Sequence, residues 1–73
     1  MPYKIRLDTV QDANEFAYIA GQIKGNVIIT DGNGLRVNGK SVLGALYAME
    51  FSSLYCESDV DIYHRLNKFI IED

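Results

Sequence analysis

The chain has little of what would place it quickly in a functional class. It has a single cysteine, Cys56, so no internal disulfide can form and nothing points to secretion. It has no cationic excess: seven Lys and Arg are scattered among ten Asp and Glu, for a net charge of −3. Nucleic-acid binding needs clustered basic side chains to displace counterions, so nucleic acid is not an expected partner. No long hydrophobic run exists either. The longest, Val42 to Phe51, is broken by Glu50 and falls far short of the roughly 20 residues of a membrane span. Met1-Pro2-Tyr3-Lys4-Ile5-Arg6 runs directly into an alternating pattern, so no signal peptide and no membrane are expected, and a cytoplasmic protein is.

What is present suits a small folded domain. At 73 residues the chain has room for one domain, residues 1–73, and 48% of it is hydrophobic, which argues against disorder. There is no internal repeat, linker or low-complexity tract.

Tyr3, Ile5 and Leu7 alternate with Lys4, Arg6 and Asp8, the period of a half-buried strand. Thr9, with Asp12 three residues on, is a capping-box variant. Val10, Ala13, Phe16, Ala17, Ala20 and Ile23 then supply the apolar stripe of a helix over residues 10–23, closed by Lys24-Gly25. Val27-Ile28-Ile29-Thr30 reads as a central strand, Asp31-Gly32-Asn33-Gly34 as a hairpin tip, and Leu35-Arg36-Val37 as the returning strand. A short helix is expected from Ser41 to about Met49, and a fourth strand from Phe51 to Cys56. Ser58 and Asp61 then predict a capped last helix over 59–71, burying Val60, Ile62, Tyr63, Leu66, Phe69 and Ile70. The order is βαββαβα. Helices that must bury their stripes on one antiparallel sheet share one face of it, so the expected fold class is α+β, an open-faced sandwich with three helices.

The segment Val37-Asn38-Gly39-Lys40-Ser41-Val42-Leu43-Gly44 runs from strand through turn to a capped apolar helix. With the element order, it resembles the HPr family, the phosphocarriers of the bacterial sugar phosphotransferase system, across essentially its whole length. The tightest match is Lys40-Ser41-Val42-Leu43-Gly44, against Lys-Ser, two aliphatic residues and Gly. The resemblance implies strand order 1-4-2-3. It implies that Ser41 is a candidate for regulatory phosphorylation by an HPr-type kinase. It also implies a docking surface for protein partners at Val42, Leu43 and Leu46, and Tyr47 of the same apolar helix is included as a partner-binding candidate.

The front loop departs from that family. Family members carry Gly, aliphatic, His, Ala, Arg, Pro at the start of the first helix, whereas residues 1–20 contain no histidine at all. A gapless reading places Asp12 at the histidine, Asn14 at the arginine and Glu15 at the proline. A one-residue gap places Gln11 at the histidine instead, as in the catabolite-repression homologue of HPr. A phosphohistidine carrier needs a nitrogen nucleophile that titrates near neutrality and positive charge to hold the phosphoryl group. Carboxylates here suit the helix dipole and repel phosphate. No catalytic residue is therefore expected, and no cofactor.

The remaining residues carry structural readings. Ser41 is a good helix cap whether or not a kinase modifies it. His64, the only histidine, falls on the solvent side of the last helix, and no His, Cys or acid spacing around it suggests a metal site. Cys56 reads as a small buried hydrophobe, and Gly44 within a helix as a point of close packing. Val42, Leu43, Ala45, Leu46, Tyr47 and Met49 cover almost the whole circumference of their helix. Some apolar surface must then stay exposed, which favours a regulatory or protein-binding role for residues 41–47. The alternatives are a structural or small-ligand module, a homodimer through the same patch, and a phosphoryl carrier working at Asp12 or His64.

Overall fold

A computed structural model describes residues 2–72. Strand β1 (Tyr3–Lys4) precedes helix α1 (Val10–Gly21), the hairpin β2 (Val27–Thr30) and β3 (Arg36–Asn38), and helix α2 (Val42–Ala48). Strand β4 (Tyr55–Ser58) and a one-turn helix α3 (Tyr63–Leu66) follow, and α3 tightens into a 3-10 turn over Asn67–Phe69. The sheet is open, antiparallel throughout, in order β1-β4-β2-β3. The fold is α+β with strand order 1-4-2-3 and three helices.

Register explains which side chains meet. Ile29 lies opposite Val37 on one side and Cys56 on the other, and Cys56 lies opposite Tyr3. Successive side chains alternate in direction, so Val27, Ile29 and Cys56 share the face turned to the helices, and all three are fully buried there. Ile28, Tyr55, Arg36 and Glu57 share the other face, which stays partly open and carries an Arg36–Glu57 ion pair. Phe16 of α1, with Ile62 and Leu66 from the last segment, completes the core. Phe16 meets Phe69 edge to face at 5.3 Å.

Four sequence expectations need correction. First, α1 ends at Gly21 and not at residue 23. Gln22 is its cap, and Ile23 turns back to bond the Ala20 carbonyl. Gly25 still takes a left-handed φ of 138°, but it serves the turn into β2, where a Cβ would sit 2.9 Å from Asp59 and Val60. Val10 opens the helix and is exposed, because the buried stripe begins only at Ala13.

Second, the fourth strand is Tyr55–Ser58 and not Phe51–Cys56. The amides of Met49, Glu50 and Phe51 each bond a carbonyl three residues back, so α2 tightens and Phe51 is used up in its last turn. The four residues of β2 then select Tyr55–Ser58 as their partner.

Third, Ser58 caps no helix. Its hydroxyl donates to the Asn26 carbonyl at 2.6 Å and accepts from the Val60 amide, while Asp59 binds the Asn26 amide and side chain. These bonds latch the β4 exit to the loop before β2, leaving Val60 exposed and delaying the helix to Tyr63.

Fourth, the helix does not run to residue 71. Ile70 leaves it to pair with Ile5, Arg6 donates to the Phe69 carbonyl, and Ile71 donates to the Lys4 carbonyl. An open β1 edge offers unpaired backbone groups, and residues 69–71 satisfy them.

Candidate functional site

Two places in the fold hold the candidate residues: the start of α1 and the outward face of α2.

At the start of α1, Thr9 is the N-cap in extended conformation, and its Oγ1 accepts from the Asp12 amide at 3.0 Å. Asp12 Oδ2 accepts in return from the Thr9 amide at 3.3 Å and the Asp8 amide at 3.0 Å. The capping box expected of Thr9 and Asp12 is therefore closed, and the Asp12 carboxylate is committed to backbone. Gln11 and Asn14 lie exposed beside it. Glu15 is held by Lys68, whose Nζ lies 2.9 Å from both carboxylate oxygens. Arg6 pairs with Asp8 at 3.2 Å.

The shallow cavity in front of this turn, about 310 Å³, sets Arg6 and Lys68 against Asp8, Asp12 and Glu72. Both cations already have carboxylate partners. A phosphoryl group is held by uncompensated positive charge, and here the balance is negative.

The other reactive side chains are elsewhere. His64 is exposed on α3, with its ring edge-on to Tyr63. Tyr63 donates to Glu72 at 2.8 Å, and that bond to a carboxylate pushes the phenol above its ordinary pKa. Cys56 lies buried in β4, where desolvation, and next the charge of Glu57, push its thiol up to about 12. It stays protonated and unreactive at neutral pH.

The approach to α2 is a tightly bonded junction. The Asn38 side chain accepts from the Lys40 amide at 3.0 Å, and the Asn38 carbonyl accepts from Ser41 at 3.1 Å. Lys40 reaches across to donate its ammonium to the Ile23 carbonyl at 2.6 Å, tying this junction to the end of α1. Ser41 is the N-cap: its Oγ accepts from the Gly44 amide at 3.1 Å, and its carbonyl accepts from Ala45 at 2.9 Å.

Gly44 is required by contact and not by backbone angle. A Cβ there would lie 2.5 Å from the Asn38 carbonyl oxygen. In an ordinary helix interior Gly→Ala stabilises by about 1 kcal/mol. Here Gly44→Ala should instead destabilise by about 1–3 kcal/mol, because backbone must move to admit the methyl. Thermal melts of the two proteins decide the sign.

Beyond the junction, α2 has the reverse of ordinary amphipathic burial. Its small residues, Ala45 and Ala48, face inward and are completely covered. Its large ones face out: Leu43 is 78% exposed, Tyr47 56% and Val42 45%. Leu46 is half-buried at the edge of the core, and Tyr47 meets Phe51 edge to face at 5.6 Å. A helix folding only for its own domain turns its large apolar groups inward. The structure thus brings Ser41, Val42, Leu43, Leu46 and Tyr47 onto one short element, whereas Gln11, Asp12 and Asn14 belong to α1.

Sequence reading missed two features near these places. Tyr18 of α1 is largely exposed, although periodicity alone could have shown it lying outside the stripe. The Ser58–Asn26–Asp59 latch joins residues too far apart in sequence for any local pattern to show. No helix among the described residues is long and apolar enough to cross a membrane. No protein-family model, curated protein or solved structure matches this sequence.

Proposed function

We propose that this protein is an HPr-like, non-enzymatic regulatory module that binds a protein partner through the exposed face of α2. The observation that carries the reading is the inverted burial of that helix, with Leu43 and Tyr47 outside and Ala45 and Ala48 inside. Exposed large side chains gathered on one element mark interaction sites, and aromatic anchors dominate such interfaces. The likeness of Lys40-Ser41-Val42-Leu43-Gly44 to the HPr pattern favours partners of the phosphotransferase-system or HPr-kinase type. The start of α1 supports the non-enzymatic part, since Asp12 caps the helix and the nearby cations are neutralised. Ser41 acts as a cap, and a kinase that modified it would set charge beside the docking face.

Binding to the first enzyme of the phosphotransferase system and to an ATP-dependent HPr kinase tests this, read by amide shift changes on labelled protein. Shift changes should cluster on residues 42–47. The double variant Leu43→Glu, Tyr47→Glu should keep its circular dichroism and lose affinity by about 100-fold, as two anchor truncations of at least ~1.4 kcal/mol each imply. Unchanged affinity in that folded variant would remove the surface assignment. Intact mass after incubation with phosphoenolpyruvate and the first enzyme should show no added phosphoryl group, and an adduct would overturn the non-enzymatic part. Sedimentation separates the homodimer alternative, because self-association abolished by the same variant assigns the face to a second copy.

A further inference from the structure

The dipeptide Asn-Gly occurs twice, at Asn33-Gly34 and Asn38-Gly39, and the fold treats the two oppositely. Asn33 and Gly34 sit at the exposed tip of the β2–β3 hairpin. The Asn33 amide and the Leu35 amide both donate to Asp31 Oδ1, at 2.7 and 3.0 Å, and the Asp31 amide donates to the Leu35 carbonyl. Among the described residues the Gly34 amide between them has no hydrogen-bond partner. Gly34 has a φ of 111°, and beyond its chain neighbours no atom lies within 4 Å of where its Cβ would be, so this peptide is open on that face.

Gly39 is the reverse case. It is buried, its amide donates to the Val27 carbonyl at 2.7 Å, and Val27 and Phe16 close around its α-carbon. The Asn38 Oδ1 is itself engaged by the Lys40 amide.

We propose that Asn33 is a site of spontaneous, structure-selected deamidation, and that the fold protects Asn38. In the first step the Gly34 amide nitrogen attacks Asn33 Cγ, forming the new C–N bond of a five-membered succinimide. The bond from Asn33 Cγ to Nδ2 breaks, and Nδ2 leaves as ammonia, taking up the proton lost by the Gly34 nitrogen. Water then opens the ring. Cleavage at Cγ restores a normal peptide with aspartate at position 33, and cleavage at the main-chain carbonyl leaves isoaspartate. No redox change occurs, and water is the only co-reactant.

Glycine favours the attack because no Cβ hinders its nitrogen. At Asn38 the same attack must first break the Gly39–Val27 bond and open the packing on Phe16, so its rate carries the cost of local unfolding. The product puts a new carboxylate beside Asp31 at the hairpin tip. That tip lies at the far end of β3 from the Ser41 junction.

The full-length protein is incubated warm at mildly alkaline pH, in buffer and separately in denaturant, then digested with trypsin at mildly acidic pH. Cleavage after Lys24, Arg36 and Lys40 puts Asn33 in one peptide, residues 25–36, and Asn38 in another, residues 37–40. Fragment spectra distinguish Asn33 from Asn26 within the first. In buffer, Asn33 should convert at least about tenfold faster than Asn38, and in denaturant the two rates should converge. Gly34→Ala should slow conversion at Asn33 even in denaturant. Equal native rates, or faster native conversion at Asn38, would overturn the proposal.

Discussion

Phe16→Ala should remove a large share of the stability of the fold, about 3–5 kcal/mol. Phe16 is completely buried, meets Phe69 edge to face at 5.3 Å, and its ring packs on the α-carbon of Gly39. It therefore joins α1, the last turn and the β3 exit in one contact. Truncating a buried phenylalanine costs about 3–5 kcal/mol. At roughly 0.05–0.15 kcal/mol per residue, a domain of this length has about 4–11 kcal/mol in total. One side chain thus accounts for a large share of the whole. Urea titration followed by far-UV circular dichroism should show the midpoint moving to much lower denaturant. Phe16→Leu, which keeps most of the volume, should retain a clear folded baseline. A midpoint unmoved by the alanine change would mean that the ring does not occupy the core.

Alkali should destabilise the protein through Cys56. The thiol ionises at 9.0 in the absence of structure and at about 12 when folded, chiefly because burial in β4 removes its solvent and secondarily because Glu57 is nearby. Below pH 9 both states hold the proton, and the group has no effect on stability. Above it the unfolded state loses the proton first, so the folded state binds more protons and stability falls as pH rises. The slope is about 1.4 kcal/mol per pH unit, continuing until the folded thiol itself ionises. Tyrosines add an alkaline slope of their own, so the informative measurement is a difference. Cys56→Ala should start less stable at neutral pH and show a shallower decline across the alkaline range, the two curves converging. Parallel curves would show that the thiol is not desolvated in the fold.

These predictions rest on features of unequal visibility in the sequence. The capping box at Thr9 and Asp12 was legible because both partners lie within one turn and the bonds are local. So were β2, the hairpin tip and the Ser41 cap, for the same reason. The fourth strand was misplaced because the aromatic and apolar residues from Phe51 onward satisfy a strand pattern and a tightened helix end equally well. Only the need of Val27–Thr30 for a partner of matching length selects Tyr55–Ser58. The last helix was overextended because Ser58 and Asp61 have the chemistry of caps. In the fold, Ser58 serves Asn26, while Asp61 only accepts from the Tyr63 amide, and the N-cap is Ile62.

The exposed face of α2 divides in the same way. Composition alone required that some of Val42, Leu43, Leu46 and Tyr47 be exposed, since one helix has too little circumference to bury them all. Which ones was settled by the packing of α2 against α1 and the sheet, which covers Ala45 and Ala48 completely. By itself, then, the sequence determined the α+β class, the local caps and turns, the buried thiol, and the absence of a histidine and an arginine at the front loop. Tertiary structure alone decided where β4 lies, how residues 69–71 close the β1 edge, which α2 side chains face solvent, and which Asn-Gly peptide is open to water. The physical reason is range. Caps, turns and periodicities are satisfied within a few residues, whereas an edge, a register or a buried amide is defined by a partner on another element.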